Sequence, residues 1–280
     1  GLAIHENWLY MVTIKELYRA EINKDGTLQS PEQLRDDLPD GGQHPNRTIG
    51  FGPDKMLYLS IGSTCNACDE PRDEHATILR MEIDGSNQEI FAEGLRNTIG
   101  FGWHPETGEL WGFDHNSDGR GNDLPPEQLN HIQQGKHYGW PWVYGKQEVD
   151  YFTSSPPPGN MSRKKFAETT EPMVLGYQAH SAPMQWAFYT GDDFPQEYHL
   201  DAFVAMRGSW NRFPAVGYEV VRVNFENGRP QSIEPFITGW LTDDGRSHFG
   251  RLVGMAQHPD GFLLLCDDQN GIMYRIAYEP

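Results

Sequence analysis

The sequence predicts an all-β chain, a β-propeller of four-stranded antiparallel blades. Three observations carry this reading. A hairpin unit recurs along the chain, further strands alternate apolar and polar residues, and turn formers are abundant, with Gly 30 and Pro 20 in 280 residues. The clearest copy of the hairpin is Arg47-Thr48-Ile49-Gly50-Phe51, then Pro53-Asp54, then Met56-Leu57-Tyr58. A second runs from Asn97-Thr98-Ile99-Gly100-Phe101 through His104-Pro105 and Gly108 to Leu110-Trp111, and a third from Arg251-Leu252-Val253-Gly254-Met255 through His258-Pro259-Asp260-Gly261 to Phe262-Leu263-Leu264. Each reads as an apolar strand, a turn built on Pro with Asp or Gly, and a second apolar strand. Residues 1–10 form a weaker copy, and residues 184–188 with 201–205 a looser one.

Residues 77–83 and 218–225 alternate apolar and polar side chains, as half-buried strands do, and each runs into a turn at Asp84-Gly85 or Asn227-Gly228. About five such units fit the chain at the ~40–50-residue period of propeller blades. Residues 126–134 are the best helical candidate, but Leu129 and Ile132 supply one turn of apolar spacing and no stripe. The period is expected to be interrupted by long insertions near 112–147 and 148–182, within a single domain over 1–280. Loops of that length on a propeller build the site.

The formal net charge is −18. That excludes nucleic acid as a natural partner, because phosphate contacts need clustered Lys and Arg. No apolar run approaches the length of a membrane span. In so acidic a chain an anionic ligand must be held by a few local cations, which makes individual Arg residues informative. Among three Cys, Cys65 and Cys68 form a C-x-x-C without the context of a zinc, haem or thioredoxin site. They read as a small-loop disulfide of an oxidising compartment, periplasmic or secreted, or as a redox-active pair. Cys266, in an apolar run, reads as a buried free thiol.

His44 lies in Gly41-Gly42-Gln43-His44-Pro45-Asn46-Arg47, just before a repeat strand, and is either a general base at a channel-facing loop or a surface turn histidine. Arg96 with Asn97 precedes the second repeat strand and Arg251 the third, while Arg47 opens the first. Recurrence at one place in the unit would bring guanidinium groups together around a carboxylate or phosphate, or each is paired with a surface acid. Asp114-His115-Asn116-Ser117-Asp118-Gly119 offers oxygen donors at alternate positions and then Gly, as in the start of a calcium loop, although Pro125 stands where an EF-hand has its terminal Glu. The other reading is an Asx-turn. Arg207-Gly208-Ser209-Trp210-Asn211-Arg212 follows an apolar strand and sets a ring beside hydrogen-bonding groups. Trp140 and Trp142 are similar platforms for a sugar or a planar cofactor, or else core.

Taken in order, Gly94-Leu95-Arg96-Asn97, Gly108-Glu109-Leu110-Trp111, the segment from Asp123-Leu124-Pro125-Pro126 to Glu127-Gln128-Leu129-Asn130, Tyr138-Gly139-Trp140-Pro141, His180-Ser181-Ala182-Pro183 and Gly208-Ser209-Trp210-Asn211-Arg212 resemble the soluble sugar dehydrogenases that use pyrroloquinoline quinone (PQQ). The L-sorbosone and pyranose dehydrogenase branch is nearest, and the resemblance covers nearly the whole chain. It implies a six-bladed fold of which about five blades are present here, lacking an N-terminal one. It also implies PQQ and Ca²⁺ as cofactors, a sugar, aldose or sugar-derived aldehyde as substrate, and a soluble quinone or cytochrome as electron acceptor. By position, His44 matches the general base that takes the substrate hydroxyl proton. Arg96 and Asn97 match cofactor contacts, and Arg251 matches a cation for the cofactor carboxylates. The segment around Asn116 and Ser117 matches the one whose backbone oxygens hold calcium, with Asp114 and Asp118 flanking it. Arg207 stands where relatives carry His or Lys, and Leu252 where they often carry Pro. Trp210 is the ring expected against the cofactor. Two other classes are compatible with the same fold, a calcium-dependent lactone hydrolase and a non-catalytic binding propeller.

Overall fold

A computed structural model describes residues 1–279. Five sheets and a two-stranded ribbon make up its β-structure, and the one α-helix among the described residues is the five-residue Arg163–Ala167. The sheets are the blades of the propeller fold. Blade 1 is Leu2–His5, Trp8–Val12, Leu17–Glu21 and Glu32–Arg35. Blade 2 is Arg47–Phe51, Leu57–Ile61, Thr77–Met81 and Glu89–Glu93, with the short Lys136–His137 pairing parallel on its edge. Blade 3 is Thr98–Trp103, Leu110–Asp114, Glu127–Ile132 and Leu175–Tyr177. Blade 4 is Pro183–Phe188, Ala202–Met206, Glu219–Glu226 and Arg229–Ile237, and blade 5 is Leu252–Gln257, Leu263–Asp267 and Ile272–Ile276. Apart from the short parallel edge strand of blade 2, consecutive strands within each blade pair antiparallel, so most pairing is local in sequence.

The three sequence repeats are the first hairpins of blades 2, 3 and 5, and their turns close alike. Gly52 donates its N–H to the carbonyl of Met56, His104 to that of Glu109, and His258 to that of Phe262. Each turn needs one left-handed residue, filled by Lys55 at φ 64°, Gly108 at 69° and Gly261 at 95°. Glycine meets that demand without a Cβ penalty, and in the first copy the Asp54 carboxylate supports the turn by accepting the Met56 N–H at 3.2 Å.

Two compact units contain these blades. The first comprises Gly1–Thr98 and Gln133–Glu171 and carries blades 1 and 2; the second comprises Ile99–Ile132 and the chain from Pro172 onward and carries blades 3 to 5. In the first, Tyr10, Leu17, Ile49, Leu57, Leu59 and Leu79 interleave between the two sheets. In the second, Trp111, Phe113 and Leu129 pack against Trp186, Val204 and Val221, and Phe203 and Val220 against Leu252 and Leu263. Side chains this deeply buried contribute about 1.5–3 kcal/mol each relative to exposure. The second strands Leu57–Ile61, Leu110–Asp114 and Ala202–Met206 are buried on both faces, which is why they read as continuous apolar runs rather than alternating ones.

Three sequence expectations need correction. The interruption near 112–147 is not one loop: Glu127–Ile132 is the third strand of blade 3, Lys136–His137 edges blade 2, and Val143–Tyr144 pairs with Glu148–Val149. The stretch near 148–182 likewise includes the Arg163–Ala167 helix and the fourth strand of blade 3. Cys266 is free but only half-buried, because its strand alternates and its side chain falls on the less covered face. No helix among the described residues is long and apolar enough to cross a membrane.

Candidate functional site

The first unit brings His44, Arg96 and Asn97 into one corner. The strand Leu57–Ile61 ends at Gly62-Ser63, and the chain has no Cβ at 62 for a steric reason: one placed there would lie 2.5 Å from His44 Cβ and 2.8 Å from Asn97 Oδ1. Ser63 donates its N–H to the Arg96 carbonyl at 2.8 Å. Its hydroxyl donates to the Cys65 carbonyl at 2.6 Å. The Ser63 Oγ and carbonyl both lie 2.9 Å from His44 Nδ1. With the hydroxyl proton already directed to Cys65, both groups facing Nδ1 are acceptors, so Nδ1 carries the proton. The basic lone pair of His44 is therefore on Nε2, the arrangement a general base requires.

Arg47, at the head of the first repeat, is buried and acts as a clamp. Nη1 donates to the His44 and Asn46 carbonyls at 3.1 and 2.9 Å, and Nη2 to the Pro39 carbonyl at 2.9 Å. Burial pulls its pKa down to about 10, still charged at neutral pH. Arg96 is buried too. Its Nε donates to the Asn66 carbonyl and Nη2 to Asn66 Oδ1, both at 3.0 Å. The Trp140 indole donates to the same Asn66 carbonyl at 3.1 Å. Trp140 is only 5% exposed and serves as packing rather than an open platform.

Gly94, ahead of Arg96, is at φ +69°, and a Cβ there would meet His137 Cε1 at 2.2 Å. His137 Nδ1 accepts the Gly139 N–H at 2.9 Å, and burial lowers the ring's pKa to about 4. Its folded value lies below the unfolded one, so it contributes stability above about pH 6.5 that is lost as pH falls toward 4, on the order of 2–3 kcal/mol. Urea unfolding of wild type and His137→Gln should show this as a smaller loss of stability between about pH 7 and 4.5 in the variant. Equal losses would contradict it.

In the second unit the Arg207-to-Arg212 motif joins two features. On one side is a pocket of about 560 Å³ whose lining includes Arg207, Arg212, Arg246, Arg251 and Trp210. The Trp210 side chain is 82% exposed, an open platform. Arg207 and Arg251 share one carboxylate, Asp268, at 3.6 and 2.7 Å. Two cations against one anion leave the group net positive, so this donor set suits a planar polyanion. On the other side is the 114–118 loop. Asn211 Nδ2 donates to Asp118 Oδ1 at 2.7 Å, while the buried Asn211 Oδ1 has no partner among the described residues. Glu127 holds the loop, accepting the Asn116 N–H at 3.1 Å and the Ala182 N–H at 3.0 Å. Asp114 ends its strand and is buried, as is Ser117. His180 Nδ1 lies 3.6 Å from Asp118 Oδ1, and hydrogen bonding to that carboxylate raises its pKa despite burial. An orphaned amide oxygen next to a carboxylate fits a hard cation such as Ca²⁺. The only cluster of three candidate His, Cys or carboxylate ligand groups found among the described residues is Cys65, Cys68 and Glu70. Cys65 and Cys68 are joined as a disulfide, as the small-loop reading expected.

Gly208 keeps this motif in place. It sits at φ +96°, and a Cβ would lie 2.2 Å from the Tyr218 ring. Gly208→Ala is expected to cost about 3 kcal/mol or more, since both backbone strain and overpacking act. A melting temperature that does not move would contradict this.

The Glucose / Sorbosone dehydrogenase family model matches residues 10–275. The chain belongs to that family. An uncharacterized protein of Borreliella burgdorferi is 33% identical over the whole chain and 75% of its own length. The aldose sugar dehydrogenase YliI of Escherichia coli is 28% identical over 70% of the chain, which spans only 46% of that relative. The holo form of the pyranose dehydrogenase PQQ domain from Coprinopsis cinerea superposes with a TM-score of 0.81 at 17% identity, over 99% of this chain and 81% of that one, and shares its fold. Membership makes this a sugar-dehydrogenase-like chain of an oxidoreductase family. Residues that sequence reasoning missed are Ser63, Asn66, Glu127, Arg246 and Asp268. Ser63, Asn66, Glu127 and Asp268 orient or charge a neighbour and Arg246 lines the arginine pocket. Asn66 lies inside the C-x-x-C and Glu127 inside one of the family-like segments, whereas Ser63, Arg246 and Asp268 carry no sequence signal.

Proposed function

We propose that the protein is a PQQ-dependent dehydrogenase that oxidises a sugar or sugar-derived aldehyde, with His44 as general base. The observation that carries this is the His44 tautomer: Ser63 fixes the proton on Nδ1 and leaves Nε2 basic, in the same corner as Arg96 and Asn97. The names of the E. coli and C. cinerea proteins support the sugar and quinone classes.

Cofactor contacts are assigned to Arg96 and Asn97 beside His44, and to Arg207, Arg251 and Trp210 in the arginine pocket, where a carboxylate or a planar ring is suited. Oxygens around Asp114, Asn116, Ser117 and Asp118, with Asn211 Oδ1, would hold the calcium. When bound, the quinone supplies a two-electron acceptor for hydride, and calcium a Lewis acid. The chain's own contribution is to orient the sugar by its hydroxyls and to accept the hydroxyl proton at His44 Nε2. The protonated ring keeps its Nδ1 bond to Ser63, so the base needs no reorientation during turnover. A soluble quinone or cytochrome would take up the electrons, in the periplasm or outside the cell, where the Cys65–Cys68 disulfide is stable. Dye-linked sugar oxidation that appears only with both PQQ and Ca²⁺ is the expected result. Lactone hydrolysis without quinone, or neither activity, would overturn the proposal.

A further inference from the structure

The C-x-x-C loop joins the two halves of the His44 corner. Cys65 gives its carbonyl to the Ser63 hydroxyl, which thereby presents an acceptor to His44 Nδ1. The next residue, Asn66, gives both its carbonyl and its side-chain oxygen to Arg96, and the same carbonyl to the Trp140 indole. The disulfide closes this four-residue turn across a sequence separation of 3. Cys65, Asn66 and Cys68 are half-buried, so solvent reaches the turn. Hence one short covalent ring fixes the proton on a candidate base and the direction of a candidate cofactor-binding guanidinium.

We propose that Asn66 and the Cys65–Cys68 disulfide are positioning elements of the site, holding His44 in its Nδ1–H tautomer and Arg96 in its binding orientation, so that opening the disulfide disarms the base without unfolding the chain. The catalytic part rests on the function proposed above; the tautomer and orientation do not. Opening is ordinary exchange with an external dithiol: its two thiols become a disulfide, and two electrons and two protons convert Cys65 and Cys68 to thiols.

The test compares wild type, wild type treated with dithiothreitol, Cys65→Ser/Cys68→Ser and Asn66→Ala, all with ¹⁵N-labelled histidine. His44 signals are assigned by their loss in His44→Gln, and a thermal melt checks that each protein is folded. The two opened forms are expected to move His44 from a single Nδ1–H tautomer to a mixture of both. Asn66→Ala is expected to leave the tautomer nearly unchanged and to weaken PQQ binding several-fold through Arg96. Where the holoenzyme oxidises sugar, kcat should fall about tenfold on opening the disulfide, with little change in KM. A His44 tautomer unchanged in both opened, folded proteins overturns the proposal whether or not the protein proves to be a dehydrogenase. If one opened form does not fold, the other opened form decides. If neither folds, the claim that opening spares the fold is overturned, and PQQ binding as tight in Asn66→Ala as in wild type would overturn the role of Asn66 as well. Sugar oxidation absent from wild type, with the tautomer shift present, overturns only the function.

Discussion

His44→Gln is expected to lower kcat for sugar oxidation by roughly two to four orders of magnitude. The reason is local. Glutamine keeps the reach and some hydrogen bonding of the imidazole, so it can still meet the Ser63 acceptors, but its amide cannot take a proton at neutral pH. Packing around residue 44 is set by Gly62 and by the Arg47 clamp on the backbone, and neither depends on the imidazole. The variant should therefore fold, bind sugar with little change in KM, and fail at proton removal. Steady-state kinetics with a dye acceptor, beside a melting curve, provide the check. Turnover comparable to wild type would remove His44 from the mechanism.

Arg251→Met is expected to weaken PQQ binding by about 10- to 100-fold, the value of a charge-assisted bond reduced for its partial exposure. The sign follows from the shared carboxylate. With Arg207 and Arg251 both on Asp268 that trio carries a net charge of about +1; without Arg251 the Arg207–Asp268 pair is neutral, and the pocket's other two arginines, Arg212 and Arg246, are each paired with an acid of their own, Asp123 and Asp244. Asp268→Asn should act the other way and tighten binding several-fold at low salt, and both effects should shrink as ionic strength rises. Fluorescence titration with PQQ at two salt concentrations reads all of this. An Arg251→Met protein that binds as tightly as wild type would contradict the assignment of the pocket.

Much of the fold is legible in the sequence because a propeller repeats its local rules. The hairpins at 47–58, 97–111 and 251–264 each pair a strand with a Pro-bearing turn, and each is the first hairpin of a blade. Residues 126–134 lack a helical stripe because their two apolar positions, Leu129 and Ile132, belong to the strand Glu127–Ile132. Where insertions end and blade strands resume is not legible. Leu175–Tyr177 has three residues and is recognisable only by its pairing with Glu127–Leu129. Arg96 with Asn97, and Arg207 with Arg251, stand out by their place in the chain's motifs, and each pair shares a corner or a carboxylate in the structure. The groups that set their chemistry, Ser63, Asn66 and Asp268, do not stand out. Their roles come from hydrogen bonds and ion pairs made across sequence separations that no periodicity marks.

One measurement bears most directly on the proposed cofactor chemistry: a crystal structure of the protein grown with PQQ and Ca²⁺. The expected result is a quinone with a carboxylate on Arg207 or Arg251 in the arginine pocket, with a cation at the 114–118 oxygens. A quinone bound away from the arginine pocket, or none bound at all, would contradict it.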